Sequence, residues 1–230
     1  MANTDASGCV RGVERALGLR DDAFVQKRPY RGLITKSEVR AVSLYKMGLR
    51  RGSIVWDVGA GSGSVALEAA VIASEGMVYA VERDSECVKM LHYNLERLGP
   101  ANVTVVAGEA PEAFDALPEP DCVFVGGSGG RLADILERAA SRLRERGCIV
   151  VNLASIERVN QARACLESLG FRTEITMISA SRGKMLPDGT MRLAAENPVF
   201  IVSGHDEPNC DESKSNESKS NESKGDESRI

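Results

Sequence analysis

The chain has 230 residues, 43% of them hydrophobic, and a formal charge of −4; it is long enough for one large domain with its own core, and its acidic balance argues against a protein that coats nucleic acid. It holds no run of 18 uncharged apolar residues, and its first 20 residues lack the apolar stretch of a secretory signal, so no membrane association is expected and the chain is placed in the cytoplasm. Six cysteines are scattered without a C-x-x-C pair and only His92 and His205 supply imidazoles, which leaves no expected metal site and few candidates for histidine chemistry.

Residues 1–20 are set apart as an N-terminal extension, and the folded unit is expected over 21–205. Val39, Val42, Leu44 and Met47 predict a helix within 36–49, ahead of a first strand at 54–58. That strand runs into Gly59-Ala60-Gly61-Ser62-Gly63 and then a helical stretch at 64–74. Further strands are expected at 77–82, 103–107, 122–125 and 148–152. Between them, Val88, Leu91, Leu95 and Leu98 form a helical stripe that stops at Gly99-Pro100, and Leu132, Ile135, Leu136, Ala139 and Leu143 form another before Gly147. Val159, Ala162, Leu166 and Leu169 make a third, closed by Gly170. His92 falls on a helix and is expected on its solvated face. After Gly170 the pattern changes: 171–179 and 198–203 read as two strands joined by a loop with no helix between them. From residue 206 the chain becomes a Ser/Asn/Glu/Lys tract repeating S-N-E-S-K, too poor in apolar side chains to offset its ordering entropy, and a disordered low-complexity tail is expected over 206–230.

A run of βα units closed by a hairpin gives an α/β fold with a mixed sheet and one antiparallel strand, whereas a nicotinamide-binding domain would show two complete βαβαβ halves. The pattern resembles the Rossmann-like, seven-stranded sheet of class I methyltransferases, with helices on both faces. The glycines after the first strand let the backbone turn sharply and approach a ligand without a Cβ in the way. Glu82 ends the second strand 19 residues after Gly63, where a carboxylate reaches the hydroxyls of a ribose. Gly61, Gly63 and Ala66 also satisfy G-x-G-x-x-G/A, but Asp57 just before the loop would oppose a pyrophosphate, whereas it suits the cationic amino-acid end of S-adenosylmethionine. Ligands of open α/β sheets lie over the carboxyl ends of the strands, which adds Gly108-Glu109-Ala110, placed to line an adenine, and Gly126-Gly127-Ser128-Gly129-Gly130. The latter loop has neither the proline nor the aromatic of methyltransferases that act on a flipped base, which disfavours a nucleic-acid substrate.

Leu33-Ile34-Thr35-Lys36-Ser37-Glu38-Val39-Arg40, Val58 with its glycine loop, Gly108-Glu109-Ala110-Pro111-Glu112-Ala113, Val125-Gly126-Gly127-Ser128-Gly129-Gly130, and Gly189-Thr190-Met191 through Asn197-Pro198 are together similar to the decarboxylating precorrin methyltransferases of cobalamin biosynthesis. The resemblance covers about 21–203. It implies methylation of carbon 15 of precorrin-6B, or of its cobalt form, with loss of the ring C acetate carboxyl as carbon dioxide. It also implies that S-adenosylmethionine is held by Thr35, by Gly59, Ala60, Gly61, Ser62 and Gly63, by Glu82, where relatives often have aspartate, and by Ala110. A homo-oligomer, a tetramer by resemblance, is implied too. Relatives are in some organisms fused to a carbon 5 methyltransferase; here that partner would be a separate chain. The tetrapyrrole carries many carboxylates, so cationic side chains should line the entrance: Lys36, Arg40, Arg182 and Lys184, with Arg28, Arg31 and Arg192 as further candidates. Gly126, Gly127 and Ser128 are expected to face the acceptor. No catalytic side chain is singled out, because a nucleophilic ring carbon facing a sulfonium mainly needs alignment. A methyltransferase acting on RNA or protein, and a non-catalytic cofactor-binding module in an assembly, are the alternatives.

The tail reading has a direct consequence: deleting residues 209–230 should leave the thermal midpoint and cofactor affinity nearly unchanged. A midpoint lowered by several degrees in a melting experiment would mean that the tail docks on the fold.

Overall fold

The computed structural model describes residues 16–26 and 34–206; Arg28, Arg31, most of the expected extension and the tail from 207 lie outside them. Strands β1 (Ile54–Val58), β2 (Met77–Glu82), β3 (Val103–Ala107), β4 (Cys122–Val125) and β5 (Cys148–Leu153) pair in parallel, while β9 (Val199–His205) runs antiparallel between β5 and β6 (Arg172–Ile178). The order β3-β2-β1-β4-β5-β9-β6 is the expected seven-stranded mixed sheet with its one antiparallel strand.

Side chains alternate across each strand and divide the core in two. Val55, Val78, Phe124, Val150 and Ile201 pack under α1 (Ser37–Met47), α2 (Ser64–Ile72) and α3 (Ser85–Leu98). Trp56, Val58, Val123, Val151 and Val202 pack under α4 (Leu132–Ala140) and α5 (Ile156–Ser168), with the Trp56 and Phe114 ring centroids 4.7 Å apart. Seven consecutive residues of α2, Ser64 to Ala70, are buried; this is a central helix, apolar nearly all round. α3 starts at Asp84, whose carboxylate accepts from the Glu86 and Cys87 amides, and α1 ends at Gly48 in the left-handed conformation. His92 is exposed on α3, and no helix among the described residues is long and apolar enough to cross a membrane.

Residues 180–197, expected as a loop, instead hold a second hairpin, β7 (Ser181–Met185) with β8 (Met191–Ala195). The segment Ser-Arg-Gly-Lys-Met is poor in strand formers, and only its pairing with β8 makes it a strand. Register puts Gly183, Met185, Met191 and Leu193 on one face and Arg182, Lys184 and Arg192 on the other. The tip is held by Asp188, whose carboxylate accepts from the Thr190 amide at 2.9 Å and hydroxyl at 2.7 Å.

Three buried polar residues lash the segment before α1 to the core. Asn94 of α3 accepts from the Val25 amide at 2.9 Å and donates to the carbonyls of Val25 and Ser62, each at 3.0 Å. Glu68 of α2 accepts from the Gly18 and Leu19 amides at 3.1 and 2.7 Å. Arg40 of α1 donates to the carbonyls of Leu19 and, at 2.7 Å, Thr35, and its guanidinium stacks 5.3 Å from the Phe24 ring centroid.

Candidate active site

The sheet order reverses between β1 and β4: the helix after β1 packs on one face and the helix after β4 on the other, so a crevice opens at their carboxyl ends. The two loops meet at its floor. The amides of Gly126 and Gly127 both donate to the Val58 carbonyl, at 2.9 and 3.3 Å. A Cβ on Gly59 would sit 2.6 Å from the Gly127 carbonyl oxygen, and Gly59 itself has φ of +71°; both facts require glycine there.

Above this floor lies a cavity of about 240 Å³, lined by Thr35, Asp57, Gly59, Ala60, Gly61, Glu82, Gly108, Glu109, Ala110, Gly126, Gly127 and Ser128 among others. Most of the residues singled out from sequence are therefore together. Ser62 and Gly63 are not on its wall: Ser62 is fully buried and its carbonyl accepts from Asn94, while Gly63 opens α2 where a Cβ would lie 2.2 Å from the Leu91 Cδ1. They shape the loop from behind.

Two of the cations expected at the entrance require correction. Arg40 is only 2% exposed, and its guanidinium faces Asp21 at 3.2 Å as well as the two carbonyls it holds; it holds the Thr35 carbonyl and does not line the cavity. Arg182 reaches from β7 to the start of α1, where it donates to the Ser37 hydroxyl and pairs with Glu38 and, at 2.8 Å, Asp21. Its hydrogen bonds hold the Glu38 carboxyl down to about 2, so this cation is neutralised within the fold. Lys36 is half-buried and Lys184 exposed on the ribbon, and neither lines the cavity.

The acids of the cavity differ in environment. Glu82 accepts from the Gly61 amide through Oε2 and the Asp84 amide through Oε1, both at 2.9 Å, which locks the loop to the end of β2. Each carboxylate oxygen keeps a lone pair for a further donor. Asp57 accepts from the Ala66 amide at 2.8 Å through Oδ2, while its buried Oδ1 has no hydrogen-bond partner among the described residues. An orphaned, buried carboxylate oxygen on a cavity wall fits a cationic ligand group. Sequence reasoning did not anticipate Arg83, which lines the cavity and pairs with Glu109 at 2.7 Å; the signal was its place one residue past the strand-end acid.

The model of the precorrin methyltransferase domain matches residues 28–203. The chain is 40% identical over 190 residues to a Pyrobaculum calidifontis protein named probable cobalt-precorrin-6B C(15)-methyltransferase (decarboxylating), covering 82% of this chain and 95% of that one. Among solved structures it superposes on precorrin-6Y C5,15-methyltransferase from Geobacter metallireducens with a TM-score of 0.77 at 37% identity, over 82% of this chain and 98% of the other. Precorrin 8W decarboxylase of Methanobacterium thermoautotrophicum follows with a TM-score of 0.75 at 34% identity, over 81% and 99%.

Burial, with the nearby Glu82 charge adding to it against the Ala66 hydrogen bond, raises the Asp57 carboxyl to about 7. A folded-state value above the unfolded one means that the folded chain binds the proton more tightly. This contribution to stability is complete below about 4, the unfolded range, and is lost as pH rises through about 7. The neutral variant Asp57→Asn should therefore gain thermal midpoint relative to the parent as pH is raised from about 5 to 8. A difference that stays flat across that window would show that Asp57 is ionised throughout.

Proposed function

The chain belongs to the precorrin methyltransferase family, and on that premise we propose that it methylates carbon 15 of precorrin-6B or its cobalt form, using S-adenosylmethionine, and releases the ring C acetate carboxyl as carbon dioxide. The observation that carries the reading is the cavity at the β1–β4 reversal, where a strand-end glutamate, an unpartnered Asp57 oxygen and bare glycine backbone converge. The relatives' names supply the acceptor class. The loop after β4 has no aromatic to stack on a base, which makes an RNA acceptor the weaker reading.

S-adenosylmethionine, when bound, supplies an electrophilic methyl group on a sulfonium. Glu82 would accept from the ribose hydroxyls with the lone pairs left over from Gly61 and Asp84. Asp57 Oδ1 would accept from the ammonium, and that neighbour would hold the carboxyl ionised against its burial. Gly59, Ala60 and Gly61 keep the loop slim, Ala110 and Gly108 offer backbone beside the adenine, and Thr35, fixed by Arg40, closes one side. The remaining task is alignment: a nucleophilic ring carbon must stand in line with the methyl at about 3 to 3.5 Å. A dry wall of Val58, Val81 and Phe124 beside that point favours loss of the charged carboxylate once the macrocycle can delocalise the electron pair.

The protein works in the cytoplasm, where its described cysteines Cys87, Cys122, Cys148 and Cys165, all free, remain reduced. It forms a homo-oligomer, supported by the ribbon face on which Met185, Met191 and Leu193 are 60%, 67% and 72% exposed.

With precorrin-6B and S-adenosylmethionine the purified protein should give a product heavier by one methyl group and lighter by one carbon dioxide, read by mass spectrometry. A Cβ on Gly127 would stand at an ordinary 3.8 Å from Gly59, so Gly127→Val should fold and bind cofactor while losing turnover by at least about tenfold. Equal loss of cofactor affinity would contradict acceptor placement there, and absence of any product from either precorrin form would end the assignment. For the assembly, Met191→Glu with Leu193→Glu should convert the parent's oligomer to monomer in sedimentation velocity; a parent that sediments as a monomer rules the oligomer out.

A further inference from the structure

Next to the cofactor cavity, and sharing Gly126, Gly127 and Ser128 with it, is a second cavity of about 300 Å³ over the carboxyl ends of β4 and β5. Its walls include the apolar Leu132, Val151 and Leu153, and one guanidinium, that of Arg158, stands among its lining residues.

Arg158 differs from the other arginines around this end of the sheet. Arg83 pairs with Glu109 and Arg131 with Glu112, both at 2.7 Å, and Arg40 and Arg182 are committed within the fold. Among the described residues no carboxylate pairs with Arg158; its side chain makes one long hydrogen bond, 3.4 Å, to the Ser128 hydroxyl. It also lies in the first turn of α5, whose helix begins at Ile156. That is the positive end of the helix dipole, where a cation is disfavoured. The fold thus gains little from a guanidinium at this place, and an unneutralised fork beside a cavity suits a carboxylate.

We propose that Arg158, with the Ser128 hydroxyl, binds a peripheral carboxylate of the acceptor, so that the acceptor lies across Gly126, Gly127 and Ser128 with its reacting carbon over the cofactor cavity. This rests on the reading of the acceptor as a polycarboxylate tetrapyrrole. Arg158 is a specificity-determining residue in this arrangement, and the binding it provides is largely the same in ground and transition states.

The test uses the full chain and two readouts. Arg158 is exposed, so Arg158→Ala should keep the parent's melting temperature and S-adenosylmethionine affinity. Its KM for precorrin-6B should rise about ten- to a hundredfold, the worth of a charge-assisted pair, with kcat within about threefold. Arg158→Lys should recover part of the loss. In parallel, binding of uroporphyrin, a tetrapyrrole octacarboxylate, is followed by fluorescence and should weaken by a similar factor in Arg158→Ala. If the parent turns over precorrin-6B and Arg158→Ala has an unchanged KM, the subsite is refuted while the enzymatic reading stands. If the parent shows no turnover but its uroporphyrin binding depends on Arg158, the carboxylate subsite survives and the reaction assignment falls. A parent that neither turns over precorrin-6B nor binds uroporphyrin overturns both.

Discussion

The contact between the backbones of Gly59 and Gly127 is the constraint on which the site depends. Two parallel strands whose following helices leave on opposite faces must part at their ends, and the chain has to fill the gap without blocking it. It does so with two loops that touch through main chain, the Gly126 and Gly127 amides both sharing the Val58 carbonyl. A methyl group on Gly59 would drive into the Gly127 carbonyl, so the approach is possible only for glycine. Because these loops touch without side chains, the space above them stays open, and the residues that line it are brought there by strand ends rather than by one another.

The loop is also held from beneath by buried polar side chains. Glu82 fixes the Gly61 amide, Asp57 fixes the start of α2 through the Ala66 amide, and Asn94 ties the Ser62 carbonyl to the segment before α1. Arg40 and Glu68 extend that web, one holding Thr35 at the cavity and the other the backbone of Gly18 and Leu19. Each buried polar group here meets main-chain partners, so removing one would strand an amide or carbonyl away from water, which costs about 1 to 3 kcal/mol. The rigidity of the loop comes from this layer of side chains bonded to main chain as much as from the apolar core on either side of the sheet.

How far this was legible in the sequence follows from the range of the physics involved. Strand alternation and helical stripes are local, and the seven strands of the main sheet lie where period and punctuation put them. The β7–β8 ribbon was missed because its evidence is pairwise: Gly183 opposite Leu193, and Lys184 opposite Arg192, make sense only once the register is known. The glycine loop and Glu82 were readable because their spacing reflects a βαβ unit. Charge was not readable in the same way. Arg40 and Arg182 sit in or near the distinctive segments, yet the fold neutralises both, whereas Arg158, in an unremarkable helical stretch, keeps its charge beside a cavity. Whether an arginine is spent or available depends on partners distant in sequence, which no local pattern encodes.

The two cavities share one wall, and that wall is nearly free of side chains. An in-line transfer requires donor and acceptor atoms within about 3.5 Å, so whatever separates the two subsites must be thinner than a side chain at the point of reaction. On the proposed reading Gly126 and Gly127 meet that demand, and Ser128, next in the chain, also lines both cavities. A chain of net charge −4 repels a polycarboxylate at long range, yet screening confines that repulsion to about 10 Å at ordinary ionic strength. Inside that distance the outcome depends on local charge, and a single unneutralised guanidinium beside a bare loop weighs more there than the sum over the surface. Specificity for an anionic acceptor is therefore compatible with an acidic protein, provided that its carboxylates are paired near the site and its cation is not.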